Sequence, residues 1–275
     1  MFRNTVARAR KLLRARVIYK EMHVSAFQRG YDKWHSHSEW RTSTESDDAT
    51  NVPNSLRTFF NEHKSGPGIW KFDHYFDIYE RHFSRFRGRA VNVLELGVYS
   101  GGSLQMWEKY FGSHCQILGV DIEPDCKAYE SDCVKVFIGN QGDRTFWGRF
   151  REQVPNLDIV IDDCSHQPED QIVSFEELFP HLRSGGVYLC EDITHVLNPF
   201  ASYLYGFAHN LNALDGFQNN VDDKERRQVC RATPFQSAIG SIHFYPYVTV
   251  VERTVAPISE FVAPKHGTQW QPFLK

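Results

Sequence analysis

The sequence predicts an α/β fold: a mostly parallel seven-stranded sheet, helices on both faces and an antiparallel hairpin at its C-terminal end. Three observations predict it. Short β-rich runs alternate with helical patterns from Val91 to Asp192, the signature of βαβ units. The first of these runs ends in a glycine loop that opens a helix. Two late strands flank Pro246 so closely that only an antiparallel pairing can join them.

The five parallel strands are read as Val91–Leu96, Gln116–Asp121, Val134–Ile138, Leu157–Asp163 and Gly186–Asp192, and the hairpin as Ser241–Tyr245 with Val248–Arg253. Helical patterns over 145–153 and 167–182 separate them. Before the first strand, Phe72, Tyr75, Phe76, Tyr79 and Phe83 recur at spacings of three and four. That spacing predicts an aromatic amphipathic helix over 70–87, its stripe serving either the core or a ligand. The expected organisation is a basic N-terminal helix with a polar linker or lid (1–65), a main domain (66–253) and a C-terminal tail (254–275).

The chain of 275 residues is long enough for one large core and a small appendage. With 31 basic against 34 acidic residues there is no electrostatic ground for nucleic-acid binding. The cysteines form no C-x-x-C pair and several fall within strands, which fits a reduced, cytoplasmic setting. The long uncharged stretch 197–214 is interrupted by Asn198, Pro199, His209, Asn210 and Asn212, so no membrane span is expected. The first 20 residues carry seven basic groups and no acid, with Phe2, Val6, Ala9, Leu13 and Val17 along one helical face. Packing on the body or on a second subunit, peripheral membrane contact and a transit peptide are the three readings of that segment.

In open α/β sheets ligands collect outside the carboxyl ends of the strands. After the first strand stands Glu95-Leu96-Gly97-Val98-Tyr99-Ser100-Gly101-Gly102-Ser103. Its G-x-x-x-G-G spacing lacks the G-x-G-x-x-G that a dinucleotide pyrophosphate requires, which argues against NAD. After the second comes Asp121, placed to accept both hydroxyls of a ribose. After the third, Gln141 and Asp143 are candidates to read an adenine edge, or Asp143 simply caps a helix.

The fourth strand ends in Asp162-Asp163-Cys164-Ser165-His166 and the fifth in Cys190-Glu191-Asp192. Acids at the ends of neighbouring parallel strands, about 5 Å apart, converge on one volume. Their repulsion calls for a bound cation or for protonation, and hard oxygen donors favour Mg²⁺ over zinc. Asp162, alternating with Asp163, is expected on the opposite face. His166, with an imidazole that titrates near neutrality, is the candidate general base.

The runs VLELGVYSGGSLQMW, GVDI, IGNQGDRTFW, DIVIDDCSH and LFPHLRSGGVYLCEDI resemble the metal-dependent sugar O-methyltransferases of antibiotic biosynthesis and, more closely, a broad group of bacterial class I methyltransferases. The likeness covers about residues 65–253, and D-D-x-S-H paired with E-D is its most specific element. It implies a Rossmann-like class I methyltransferase that binds S-adenosylmethionine through Glu95, Gly97, Tyr99, Gly101, Ser103, Asp121, Gln141, Asp143 and Asp163. It further implies Asp163, Glu191 and Asp192 as ligands of Mg²⁺ or a similar ion, and His166 as the catalytic base toward a hydroxyl of a sugar, a glycosylated natural product or a glycan. Cys164 stands where glycine is usual, and residues 193–199 lack the common aromatic, glycine-rich stretch. His74, Tyr75, Phe200, Tyr203 and Tyr205 are candidate walls for the acceptor. Two rival readings are a metal-independent methyltransferase acting on nitrogen or an acidic oxygen, and a cofactor-binding partner protein without catalysis. A homo-oligomer is compatible with all three.

Overall fold

A computed structural model describes residues 22–33, 54–213, 227–264 and 266–267. The chain divides into two units, Met1–Val52 and Pro53–Lys275. In the first, residues 22–33 form helix α1. The basic segment 1–20 and the linker residues 34–53 lie outside the described residues.

The second unit is built on a seven-stranded sheet of order β3-β2-β1-β4-β5-β8-β7. Its parallel strands are β1 (Asn92–Leu96), β2 (Gln116–Asp121), β3 (Val134–Ile138), β4 (Leu157–Asp162) and β5 (Leu182–Cys190). β8 (Val248–Arg253) runs antiparallel to β5, and β7 (Ile239–Tyr245) antiparallel to β8. The helices are α2 (Ser55–Glu62), α3 (Tyr75–Phe83), α4 (Gly102–Phe111), α5 (Arg144–Gln153), α6 (Pro168–Leu178), α7 (Pro199–His209) and the short α8 (Pro234–Ala238).

The central strands carry near-continuous apolar runs because both faces are covered. Alternation along them sorts their side chains into two cores. Val93, Ile117, Ile159, Ile161, Val187 and Leu189 pack with Tyr75, Phe76, Tyr79, Phe83 and Trp107 from α3 and α4. Leu94, Leu96, Leu118, Val160, Tyr188 and Cys190 pack with Phe146, Trp147, Phe175 and Phe200 from α5, α6 and α7. The same two-residue period decides which face each acid at a strand end will meet.

Several boundaries differ from the sequence expectation: β5, expected from Gly186, begins at Leu182, because α6 ends at Leu178 and not at 182. The helix expected over 70–87 begins only at Tyr75. Residues 67–70 instead cross the start of α4, where a methyl group on Gly102 would lie 2.4 Å from the Gly68 carbonyl oxygen. That close approach threads Lys71 into the molecule ahead of α3. α2 lies in the stretch expected to be linker: Asn54 caps it and also donates to the Phe76 carbonyl at 2.7 Å, and Leu56 enters the first core. Finally, β6 (Arg227–Arg231) pairs antiparallel with β9 (Glu260–Pro264), a strand within the expected tail. Among the described residues, no helix is long and apolar enough to cross a membrane.

Candidate active site

Two loops meet at the carboxyl edge of β1 and β4. Gly97, with φ +91°, lies so close to the chain after β4 that a Cβ there would sit 2.0 Å from the Asp163 carbonyl oxygen. The Asp163 amide donates to the Leu96 carbonyl at 3.0 Å. Only glycine satisfies both the left-handed backbone and the approach. Gly101 takes φ +75° at the start of α4, with the Tyr129 ring occupying the place of a side chain.

The residues expected at the cofactor fall into two groups. Tyr99 is 79% exposed, and Ile122, directly after Asp121, also lies open. Asp121 accepts the amides of Val98 and Tyr99 at 2.9 and 3.0 Å and that of Glu123 at 3.0 Å. Burial works against its ionised form, but these backbone donors outweigh burial and hold its pKa below the usual value. Asp121 therefore clamps the glycine loop at the end of β2.

The second group faces inward. Glu95 is fully buried and accepts from Ser103 Oγ at 2.7 Å and Trp107 Nε1 at 3.0 Å. Glu95 and Ser103 thus brace the loop from beneath. Gln141 donates to Asp162 Oδ1 at 2.6 Å and to Ser174 Oγ at 3.0 Å, and accepts the Ser165 amide at 3.1 Å. Its amide is fully occupied by neighbours and does not face the open edge. Asp143 caps α5 through the Thr145 amide at 2.8 Å, the alternative role weighed for it.

The acids separate as strand alternation requires. Asp162 turns to the second core and accepts from Gln141, Ser174 at 2.7 Å and Tyr188 at 2.6 Å. Burial raises its pKa to about 6, partly opposed by those donors. Asp163 turns the other way. There it meets His166 and Asp192, and ligand atoms of all three lie within 4.8 Å of one another. His166 Nε2 is 4.0 Å from Asp163 Oδ1 and 3.8 Å from Asp192 Oδ2, beyond direct hydrogen bonding. His166 and Asp192 both take φ +54°. For non-glycine residues this is a costly conformation that marks functional sites more often than chance.

Glu191 follows the alternation of β5 and points into the first core. Its Oε1 accepts from Tyr79 OH at 2.6 Å and its Oε2 from Lys71 Nζ at 2.9 Å. Lys71, whose side chain is 3% exposed, also donates to Asp163 Oδ2 and lies 3.8 Å from Glu95 Oε1. Burial disfavours the ammonium, yet the charges of Asp163, Glu191 and Glu95 together hold its pKa well above the ordinary value. Burial likewise pushes the Glu191 carboxyl up, against the pull of Lys71. Tyr75, one helical turn before Tyr79, donates to Asp192 Oδ1 at 2.6 Å. The aromatic stripe of α3 therefore packs as core, and two of its hydroxyls hold the E-D pair from within.

Lys71 and Tyr79 were missed at the level of sequence. The cation demanded by the acids was available as a lysine four residues ahead of the tyrosine stripe. Of the candidate acceptor walls, Phe200 is buried in the second core, Tyr203 hydrogen-bonds Glu176 at 3.1 Å, and Tyr205 stacks on Phe244. His74 bonds the Pro246 carbonyl at 3.0 Å and, with Phe72 and Tyr247, forms an exposed aromatic rim beside Tyr75.

The strand order, the glycine loop and the terminal antiparallel hairpin define a class I methyltransferase fold. Within that class the chain is similar to sugar O-methyltransferases. It is 33% identical to 8-demethyl-8-alpha-L-rhamnosyl tetracenomycin-C 2'-O-methyltransferase of Streptomyces olivaceus over 205 residues, 69% of this chain and 53% of the relative. It is 33% identical to mycinamicin VI 2''-O-methyltransferase of Micromonospora griseorubida over 194 residues, 64% of this chain and 47% of the relative. Among solved structures, MycE methyltransferase from the mycinamycin biosynthetic pathway, in complex with Mg and SAH, aligns with TM-score 0.60 at 27% identity, covering 73% of this chain and 54% of that one. The chain thus spans about half the length of the relatives it matches. No family model matches it.

Proposed function

We propose that this chain is an S-adenosylmethionine-dependent O-methyltransferase that acts on a hydroxyl of a sugar or glycosylated small molecule and uses a divalent ion of the Mg²⁺ type. The observation that carries the reading is the convergence of Asp163, His166 and Asp192 beside the glycine loop, in a chain similar to sugar O-methyltransferases. Two carboxylates, partly open to solvent, fit a hard cation, and the imidazole stands beside them.

S-adenosylmethionine, when bound, supplies an already activated sulfonium methyl. A divalent ion, when bound at Asp163 and Asp192, makes an adjacent hydroxyl more acidic. The remaining work falls to the chain. Gly97, Tyr99 and Gly101 shape the cofactor's bed, Asp121 stands at the ribose end, and Ile122 offers an apolar face to the base. Tyr75 fixes the Asp192 carboxylate, so the acceptor meets a preset surface. His166 Nε2, free of a direct hydrogen bond to either acid, takes the acceptor proton.

Release of labelled methyl from S-adenosylmethionine onto a panel of rhamnosides and other glycosides tests the reaction. With an acceptor found, EDTA is expected to abolish turnover and Mg²⁺ to restore it. Lys71 favours a second reading, a metal-independent enzyme, because its ammonium already offsets part of the acidic charge. Full activity in chelator would select that reading.

A further inference from the structure

The family resemblance assigns Glu191 to the metal, but in this structure the carboxylate is occupied from two sides by the chain itself. Tyr79 OH takes one oxygen and Lys71 Nζ the other. Both donors are buried, and Glu191 is 1% exposed. The three residues whose ligand atoms do converge are Asp163, His166 and Asp192. Lys71 reaches into that group from below through Asp163 Oδ2. An ammonium and a divalent ion cannot both sit against the same carboxylate oxygens without strong mutual repulsion.

We propose that Lys71 is the resident counter-cation of the acidic site: it reserves Glu191 for itself, restricts a divalent ion to Asp163 and Asp192, and competes with that ion for Asp163. Lys71 is thereby a positioning residue. This inference rests on the proposed metal use, and it differs from the ligand set the resemblance implies. A site with a built-in competitor binds its metal weakly and exchangeably, whereas a site with three free carboxylates holds it firmly.

The test is Mn²⁺ binding to the full chain, followed by the electron paramagnetic resonance signal of free Mn²⁺ and independent of turnover. Glu191→Gln is expected to leave the Mn²⁺ Kd within about threefold of the parent value, and Asp192→Asn to weaken it at least tenfold. Lys71→Met is expected to tighten it at least tenfold. Should Lys71→Met fail to fold by circular dichroism, the contrast between Glu191→Gln and Asp192→Asn decides alone. Equal losses in those two variants would overturn the assignment of Glu191 to Lys71 while leaving the metal reading intact. Absence of Mn²⁺ binding in both the parent and Lys71→Met would sink the metal reading and this inference with it. The expected pattern of affinities without any methyl transfer would refute only the proposed reaction.

Discussion

Asp162 and Asp163 are neighbours in the chain and opposites in environment. Asp162 lies in a closed pocket among three neutral donors, Gln141, Ser174 and Tyr188, and burial lifts its pKa to about 6. Asp163 lies at an open edge beside Lys71, His166 and Asp192. Both owe their places to one step of β alternation at the end of β4. The contrast teaches that an acidic run at a strand end is two sites, one that holds the sheet to α6 and one at the open edge. Counting its carboxylates as a single cluster overstates the charge at the open edge.

The comparison breaks most easily on the open side. His166→Ala is expected to cost about 10²- to 10⁴-fold in kcat, the usual contribution of a positioned general base. The melting temperature should stay near that of the parent, because the His166 side chain is 42% exposed. Retained kcat would remove the base role. On the closed side the effects should be reversed. Asp162→Asn sets an amide donor against three existing donors and is expected to lower stability by about 1–3 kcal/mol, measured by urea unfolding. Its kcat at saturating substrate should remain within about threefold. A kcat loss matching that of His166→Ala would show that the two faces are not independent.

A remote acid sharpens the contrast further. Glu252 of β8 accepts from His82 at 2.7 Å and from Arg85 at 3.2 Å, and the His82 bond, helped by the Arg85 charge and opposed by burial, brings its pKa down to about 2. A lowered carboxylate pKa stabilises the fold above the unfolded value and loses that stabilisation as pH falls toward 2. Glu252→Gln is expected to cost about 1 kcal/mol at pH 7 and to flatten the acid limb of stability below about pH 4.5. Denaturant melts at pH 7, 5 and 3 would check it, and an unchanged acid limb would contradict the assignment.

Much of this was legible in the residues. β2 and β3 begin and end where their β-rich runs do, and the hairpin around Pro246 closes the sheet as its short connection demanded. The opposite facing of Asp162 and Asp163 followed from the period of a strand. Other features were hidden for physical reasons. Lys71 is a single basic residue ahead of an aromatic helix, and nothing local distinguishes it from a solvated lysine. Its partners lie 92 and 120 residues away, a separation that no periodicity reports. The pairing of β6 with β9 joins segments about 30 residues apart, and the polar Arg227–Arg231 run carries little strand signal. Gln141 and Asp143 look alike as ligands in a turn, but the helix start claims one and the closed pocket the other.

The long reach of Lys71 bears on how the molecule folds. Contacts spanning most of a domain form only after considerable chain entropy has been lost, so they tend to form late. Until the segment ahead of α3 docks, Asp163 and Glu191 lack Lys71, the cation that bonds both. The sheet can therefore collapse around its apolar strands well before the acidic edge is complete, and arrival of the lysine closes that edge.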